Sequence, residues 1–264
     1  MIDELVLGLE GLTCVVTGAS SGIGRSIAIA FSLAGASVCA IARRKDVLEE
    51  TAKAGDQSRF ALYPADIATD DEVVRVTDEL TSRPDGVDVL VHCAGTFKFA
   101  SLETAPVDDL DRQYAVNVRA PYLLTQRLLP SLRANKGQIV FINSTTGLDA
   151  RANVSQFAAT QHALKAMADS LRQEINDDGV RVLSVYPGRT STPRQARIFA
   201  MEGRTYVPER LLQPNDIASA VLNALALPRS AEVTDLRIRS MLKHDAPDTE
   251  VAPEQKSGPS LPVG

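Results

Sequence analysis

Thr17-Gly18-Ala19-Ser20-Ser21-Gly22-Ile23-Gly24 follows the β-branched run Leu12-Thr13-Cys14-Val15-Val16 and opens a helical pattern that reaches about residue 34. In that order of strand, turn and helix, the helix's unpaired N–H groups meet the turn, where they can receive a pyrophosphate. Glycines serving only as a tight turn would not require a strand before them and a helix behind them. The stretch therefore predicts the first βαβ unit of a parallel sheet.

Reading outward, short apolar runs alternate with longer helical patterns to the end of the periodic sequence. Strands are predicted near 12–17, 36–42, 59–64, 87–92, 138–143, 180–186 and 232–238, and helices near 22–34, 46–54, 70–82, 107–134, 153–176 and 215–227. Pro106, Pro130 and Gly179 read as boundary signals, and 189–213 has no clear strand. The expected fold is α/β, a Rossmann-type doubly wound parallel seven-stranded sheet with helices on both faces. One domain is expected over 1–243, followed by a disordered tail at 244–264, where Pro, Gly and acids lack periodic apolar partners.

With 264 residues, 44% of them hydrophobic, the chain can bury a large core. A formal charge of -5 gives no basic field for nucleic acid, and no apolar run approaches the roughly 18 residues that a membrane span needs. The N-terminal MIDELVLGLEGL has no basic segment of the kind that opens a secretory leader, and Cys14, Cys39 and Cys93 make no disulfide or metal framework. A reducing cytoplasm is the expected location, with Cys14 and Cys39 as small buried residues in strands. His92 stands without a second histidine nearby and reads as a strand-end packing residue rather than a metal ligand.

The glycine pattern of Gly18, Ser20, Ser21, Gly22, Ile23 and Gly24 at this position resembles the short-chain dehydrogenase/reductase family, and the resemblance runs over roughly 11–238. It implies a nicotinamide nucleotide. An acid closing the second strand would select NAD through the ribose 2′-hydroxyl, but this chain has Ala42 followed by Arg43 and Arg44. That favours NADP(H), with Arg43 the better partner for a 2′-phosphate and a solvated basic pair as the plain alternative. Asp66 and Ile67 resemble the family's adenine contact. Cys93-Ala94-Gly95 stands where the family has Asn-Ala-Gly, and Pro187, Gly188, Thr190 and Thr192 match the turn that holds the nicotinamide amide.

Carbonyl reduction also needs a proton for the developing alkoxide, and the family supplies it from Tyr-x-x-x-Lys on one helix face. The resemblance assigns the family's serine to Ser144 and its asparagine to Asn117. Thirteen residues past Ser144, however, the chain reads Phe157-Ala158-Ala159-Thr160-Gln161, so Phe157 stands for the tyrosine and Gln161 for the lysine. No Tyr-x-x-x-Lys occurs anywhere in the sequence. Phe157 keeps the ring without an ionisable hydroxyl, and Gln161 can bond a ribose hydroxyl without supplying charge. Asp149 and His162 are the nearby titratable candidates, both as readily ordinary polar residues, and Lys165 lies one turn beyond Gln161.

Several readings stay open. The first is an NADP(H)-dependent oxidoreductase acting on a carbonyl or alcohol, with Ser144, Asn117, water or the substrate itself handling the proton. Others are a non-redox enzyme performing elimination or cyclisation, a non-catalytic NADP(H)-binding assembly partner, and a working reductase inactivated at Phe157 and Gln161. A small-molecule substrate is expected, no metal, no nucleic acid and no membrane, and the resemblance implies a homodimer or homotetramer through the helices at 107–134 and 153–176. Arg189, Arg194, Arg197 and Arg204 fall in the segment that resembles the substrate lid, where a solvated loop is favoured over an anion site.

Overall fold

The computed structural model describes residues 8–242, so the expectation of a tail at 244–264 lies outside the described residues. Seven strands form one sheet: β1 (Thr13–Thr17), β2 (Ser37–Ala42), β3 (Phe60–Pro64), β4 (Val89–His92), β5 (Gln138–Ile142), β6 (Arg181–Pro187) and β7 (Asp235–Ile238). Their order is β3-β2-β1-β4-β5-β6-β7, and every pairing is parallel. The chain reverses direction across the sheet between β1 and β4, and open sheets bind ligands beyond the carboxyl ends at such a switch point.

Period-two alternation assigns the strand residues to two apolar layers. Cys14 and Val16 of β1, with Val89 and Val91 of β4, pack beneath helices α1 (Gly22–Leu33) and α8 (Pro214–Leu225) through Phe31 and Ile217. On the opposite face Val15, Leu90 and Phe141 meet α3 (Asp70–Thr81), α5 (Ala120–Ala134) and α6 (Ser155–Ile175) through Val76, Leu128 and Ala168. Burial from both sides explains why β1 and β6 are buried throughout, while the edge strand β7 alternates exposed and half-buried residues. Cys14 and Cys39 are free thiols inside this sheet, one on each face.

Two expectations need correction. The predicted helix at 107–134 is α4 (Val107–Tyr114), a five-residue π segment (Ala115–Arg119) and α5. Pro130 is no boundary but lies inside α5, where the fully buried Leu128 and Leu132 hold the helix to the sheet despite the missing N–H. The stretch 189–213 adds no strand to the sheet, as expected, but it contains a helix the sequence pattern left out, α7 (Pro193–Met201), started by Thr192, whose side chain accepts the Gln195 N–H at 3.1 Å, and by Pro193 in the first turn. The remaining helix, α2 (Lys45–Lys53), follows β2.

Candidate active site

A cavity of about 1570 Å³ opens at the carboxyl ends of the strands. Every residue that the sequence assigned to nucleotide or catalysis lines it: Gly18 to Gly24 by way of Ser20, Ser21, Gly22 and Ile23, then Arg43, Arg44, Asp66, Ile67, Cys93, Ala94 and Gly95. Asn117, Ser144, Phe157, Gln161, Pro187, Gly188, Thr190 and Thr192 complete the set.

At the switch point the walls are backbone. Gly18 holds φ +72°, and a Cβ there would stand 2.8 Å from the Ala94 backbone. A Cβ on Gly24 would stand 2.5 Å from the Gly18 carbonyl oxygen. Only glycine fits both positions. Thr17 ties the two turns together: its hydroxyl donates to Val91 O at 3.2 Å and accepts the N–H groups of Cys93 and Ala94 at 3.0 and 3.1 Å. Helix α1 has no side-chain hydrogen bond at its N-cap, Ser21, and no acid in its first turn. Its N–H groups are therefore open to an anion, which fits a pyrophosphate.

Arg43 and Arg44 are exposed at the end of β2, and neither forms an ion pair with another described residue. Asp66 accepts Ala68 N–H at 3.1 Å and Arg112 Nη2 at 2.8 Å. Desolvation works against its charge, but Arg112, the Ala68 amide and Arg43 outweigh it and hold the carboxyl below its usual range. His92 closes β4, stacked on Phe141 at 4.9 Å with Nε2 2.8 Å from Thr125 Oγ1. Burial lowers its pKa to about 3, so it is neutral and structural. Burial also pushes the Cys93 thiol up to about 12.

The opposite wall is built from side chains on a scaffold of backbone bonds. Ser144, extended at the end of β5, caps a short 3-10 turn by accepting Thr146 N–H at 3.1 Å, which leaves its own proton available to a ligand. Asn143 accepts Ser144 N–H at 2.7 Å and donates to the Gln161 carbonyl oxygen at 3.0 Å, fixing the serine loop to α6. Phe157 meets Phe97 edge-on at 5.0 Å. Gln161 is 5% exposed, and its side-chain amide makes no hydrogen bond among the described residues. Asn117, in the π segment, accepts Thr96 N–H at 2.8 Å and spends both amide protons, on Thr96 O at 3.0 Å and Thr160 Oγ1 at 3.1 Å. It works as a clamp between the β4 loop and α6.

The other titratable candidates lie elsewhere. Asp149 is exposed and outside the cavity wall, and His162 faces outward with Nδ1 donating to Ala158 O at 2.9 Å. Lys165 pairs forward with Asp169 rather than back toward Gln161, because Asp169 lies one turn along on the same face. Nor is the 189–213 segment a solvated loop throughout. Arg189 donates to both oxygens of Glu202 at 2.9 and 2.7 Å and lies 4.8 Å over the Phe199 ring, a pairing across thirteen residues that no local spacing announces. The sequence pattern also missed Asn143, Arg112 and the lining residue Arg151, and the tertiary bonds by which Thr17 holds the two turns together.

Among the described residues no group of three or more His, Cys, Asp or Glu side chains could hold a metal ion, and no helix is long and apolar enough to cross a membrane. A family model described as short chain dehydrogenase matches residues 12–203. An uncharacterized oxidoreductase of Staphylococcus aureus is 30% identical over 228 residues, covering 85% of this chain and 95% of the relative. A metagenomic short-chain oxidoreductase solved in complex with NADP is similar with TM-score 0.76 and 28% identity, over 89% of this chain and 99% of that one. An alcohol dehydrogenase from the archaeon Thermococcus sibiricus, complexed with 5-hydroxy-NADP, gives TM-score 0.79 and 27% identity over 88% and 97%. The chain belongs to the short chain dehydrogenase family, a family of oxidoreductases.

Proposed function

We propose that this member of the short chain dehydrogenase family binds NADP(H) and moves hydride between it and a carbonyl or alcohol substrate, without a side-chain acid on α6. The observation that carries the reading is the continuous cleft: the phosphate turn, the Arg43–Arg44 pair and Ser144 line one cavity at the sheet's switch point. The NADP complexes of the two similar structures support the choice of nucleotide.

On this reading Gly18 to Gly24 and the start of α1 hold the pyrophosphate, and Arg43, with Arg44 beside it, holds the 2′-phosphate. Asp66 and Ile67 border the adenine, Cys93-Ala94-Gly95 the ribose side, and Pro187, Gly188, Thr190 and Thr192 the nicotinamide end. The bound nucleotide supplies the hydride chemistry. Ser144 donates a hydrogen bond to the carbonyl oxygen and orients it. A serine hydroxyl is too weak an acid to surrender that proton, so water delivers it, at a cost of about 10² to 10⁴ in rate. Gln161, buried and unpartnered, bonds a ribose hydroxyl, and Phe157 with Phe97 forms an apolar wall. The protein works as one domain over 1–243 in a reducing cytoplasm, as a homodimer or homotetramer through the helices at 107–134, where Tyr114 and Tyr122 are exposed, and 153–176.

A second reading, a non-catalytic NADP(H)-binding partner, draws on Asn117, whose amide protons are both spent inside the protein. Deuteride transfer from labelled NADPH to a carbonyl panel, read by mass spectrometry, decides between the two. Label in product is expected; NADPH binding with no label in any product would replace the oxidoreductase by the partner.

A further inference from the structure

We infer that the substrate carries an anionic group, a carboxylate or a phosphate, held in the cleft by Arg151 and Arg197 with Arg194 at its inner edge. The inference deepens the proposed function and rests on that reading of the cleft.

The argument begins with unbalanced charge. Eight arginines line the cavity against two acids, Asp66 and Glu202. Asp66 is taken by Arg112 at 2.8 Å. Glu202 is taken by Arg189 at 2.7 Å and stands 3.6 Å from Arg204, with side-chain exposures of 11% for Arg189 and 17% for Glu202. Arg43 and Arg44 lie at the end of β2, beside the proposed 2′-phosphate. Arg151, Arg194 and Arg197 remain, and none of them has a carboxylate partner among the described residues.

The three enter the cavity from two directions. Arg151 belongs to the loop between Ser144 and α6, on the side of Phe157. Arg194 and Arg197 stand three apart on α7, which makes them neighbours on its surface. Arg194 donates to the Gly95 carbonyl oxygen at 2.5 Å, so its guanidinium reaches the β4 loop. Desolvation lowers the Arg194 pKa, the Cys93 side chain offsets part of that, and the like charge of Arg197 lowers it further. Two like charges over a cleft, with no carboxylate partner among the described residues, are relieved by an incoming anion. Guanidinium forks match the planar oxygens of carboxylate and phosphate.

The nucleotide's own phosphates share this chemistry, so the test separates the two sources. The wild-type protein, saturated with NADP⁺, is titrated calorimetrically with 4-carboxybenzaldehyde and with its neutral methyl ester. The acid is expected to bind at least about tenfold more tightly. Arg151→Gln with Arg197→Gln is expected to reduce that preference to about twofold or less, with affinity for NADP⁺ retained. Three results overturn the inference: no preference for the acid in the wild type, an unchanged preference in the double variant, or loss of NADP⁺ affinity in that variant, which would assign the arginines to the nucleotide. The readout is binding and needs no turnover. Preference for the acid in a protein that transfers no deuteride would therefore leave the anion site standing and remove only the redox reading.

Discussion

The turn at Gly18–Gly24 and the first two turns of α6 line the same cleft but are made of different material. The turn is backbone: its shape depends on Gly18 at φ +72° and on contacts of 2.8 and 2.5 Å that no Cβ could share. Helix α6 offers the cleft the side chains of Phe157 and Gln161, while the bond that anchors it there is the Gln161 carbonyl oxygen accepting from Asn143 at 3.0 Å. A carbonyl oxygen is the same on every residue. The helix can therefore vary its side chains at 157 and 161 without disturbing that anchor, whereas the turn cannot exchange its glycines. The fold protects the nucleotide side of the site and leaves the chemical side free to change.

The largest expected effect comes from the side chains at 157 and 161. Phe157→Tyr with Gln161→Lys is expected to raise the rate of carbonyl reduction by about 10² to 10⁴ while NADPH affinity changes little, as read by steady-state kinetics beside nucleotide titration. An unchanged rate would mean that the missing pair is irrelevant to this protein. The next effect strikes the other side. Gly18→Ala puts a Cβ at positive φ and 2.8 Å from Ala94, and is expected to cost about 2 kcal/mol or more of stability in a denaturant titration. A stable Gly18→Ala protein with full nucleotide affinity would break the contrast between the two sides. The smallest effect sharpens it: Arg43→Ala is expected to weaken NADPH by about tenfold and leave NADH unchanged. Equal losses for both nucleotides would remove Arg43 from the 2′-phosphate.

Much of this contrast is legible in the sequence, because the backbone side of the site is written locally. Gly18, Gly22 and Gly24 announce their turn through their spacing between a strand and a helix, and the seven strands follow from apolar runs between helical patterns. The side-chain side is written at a distance. Asn117 fits a family position, but nothing in its neighbourhood says that Thr96 and Thr160, twenty-one and forty-three residues away, consume its amide. The Arg189–Glu202 pair is equally silent, and it is why only part of the lid's positive charge is free to meet a ligand. Helix α7 is a different kind of omission, since Thr192-Pro193 is a local start signal and could have been read. The π segment lacks any such signal. Its own Asn117 is tied to Thr96 and to Thr160 of α6, partners that only the tertiary fold supplies.

The central claim, a working nucleotide cleft with no side-chain acid at its chemical end, meets its most direct test in the pH dependence of single-turnover hydride transfer by the wild-type protein. His92 titrates near pH 3 and Cys93 near pH 12, both outside the working range, and α6 offers the cleft only Phe157 and Gln161 in place of the pair. The account predicts a rate that stays flat from about pH 6 to about pH 9, because no side-chain acid gains or loses its proton there. A limb of unit slope inside that range would reveal a hidden acid and contradict it.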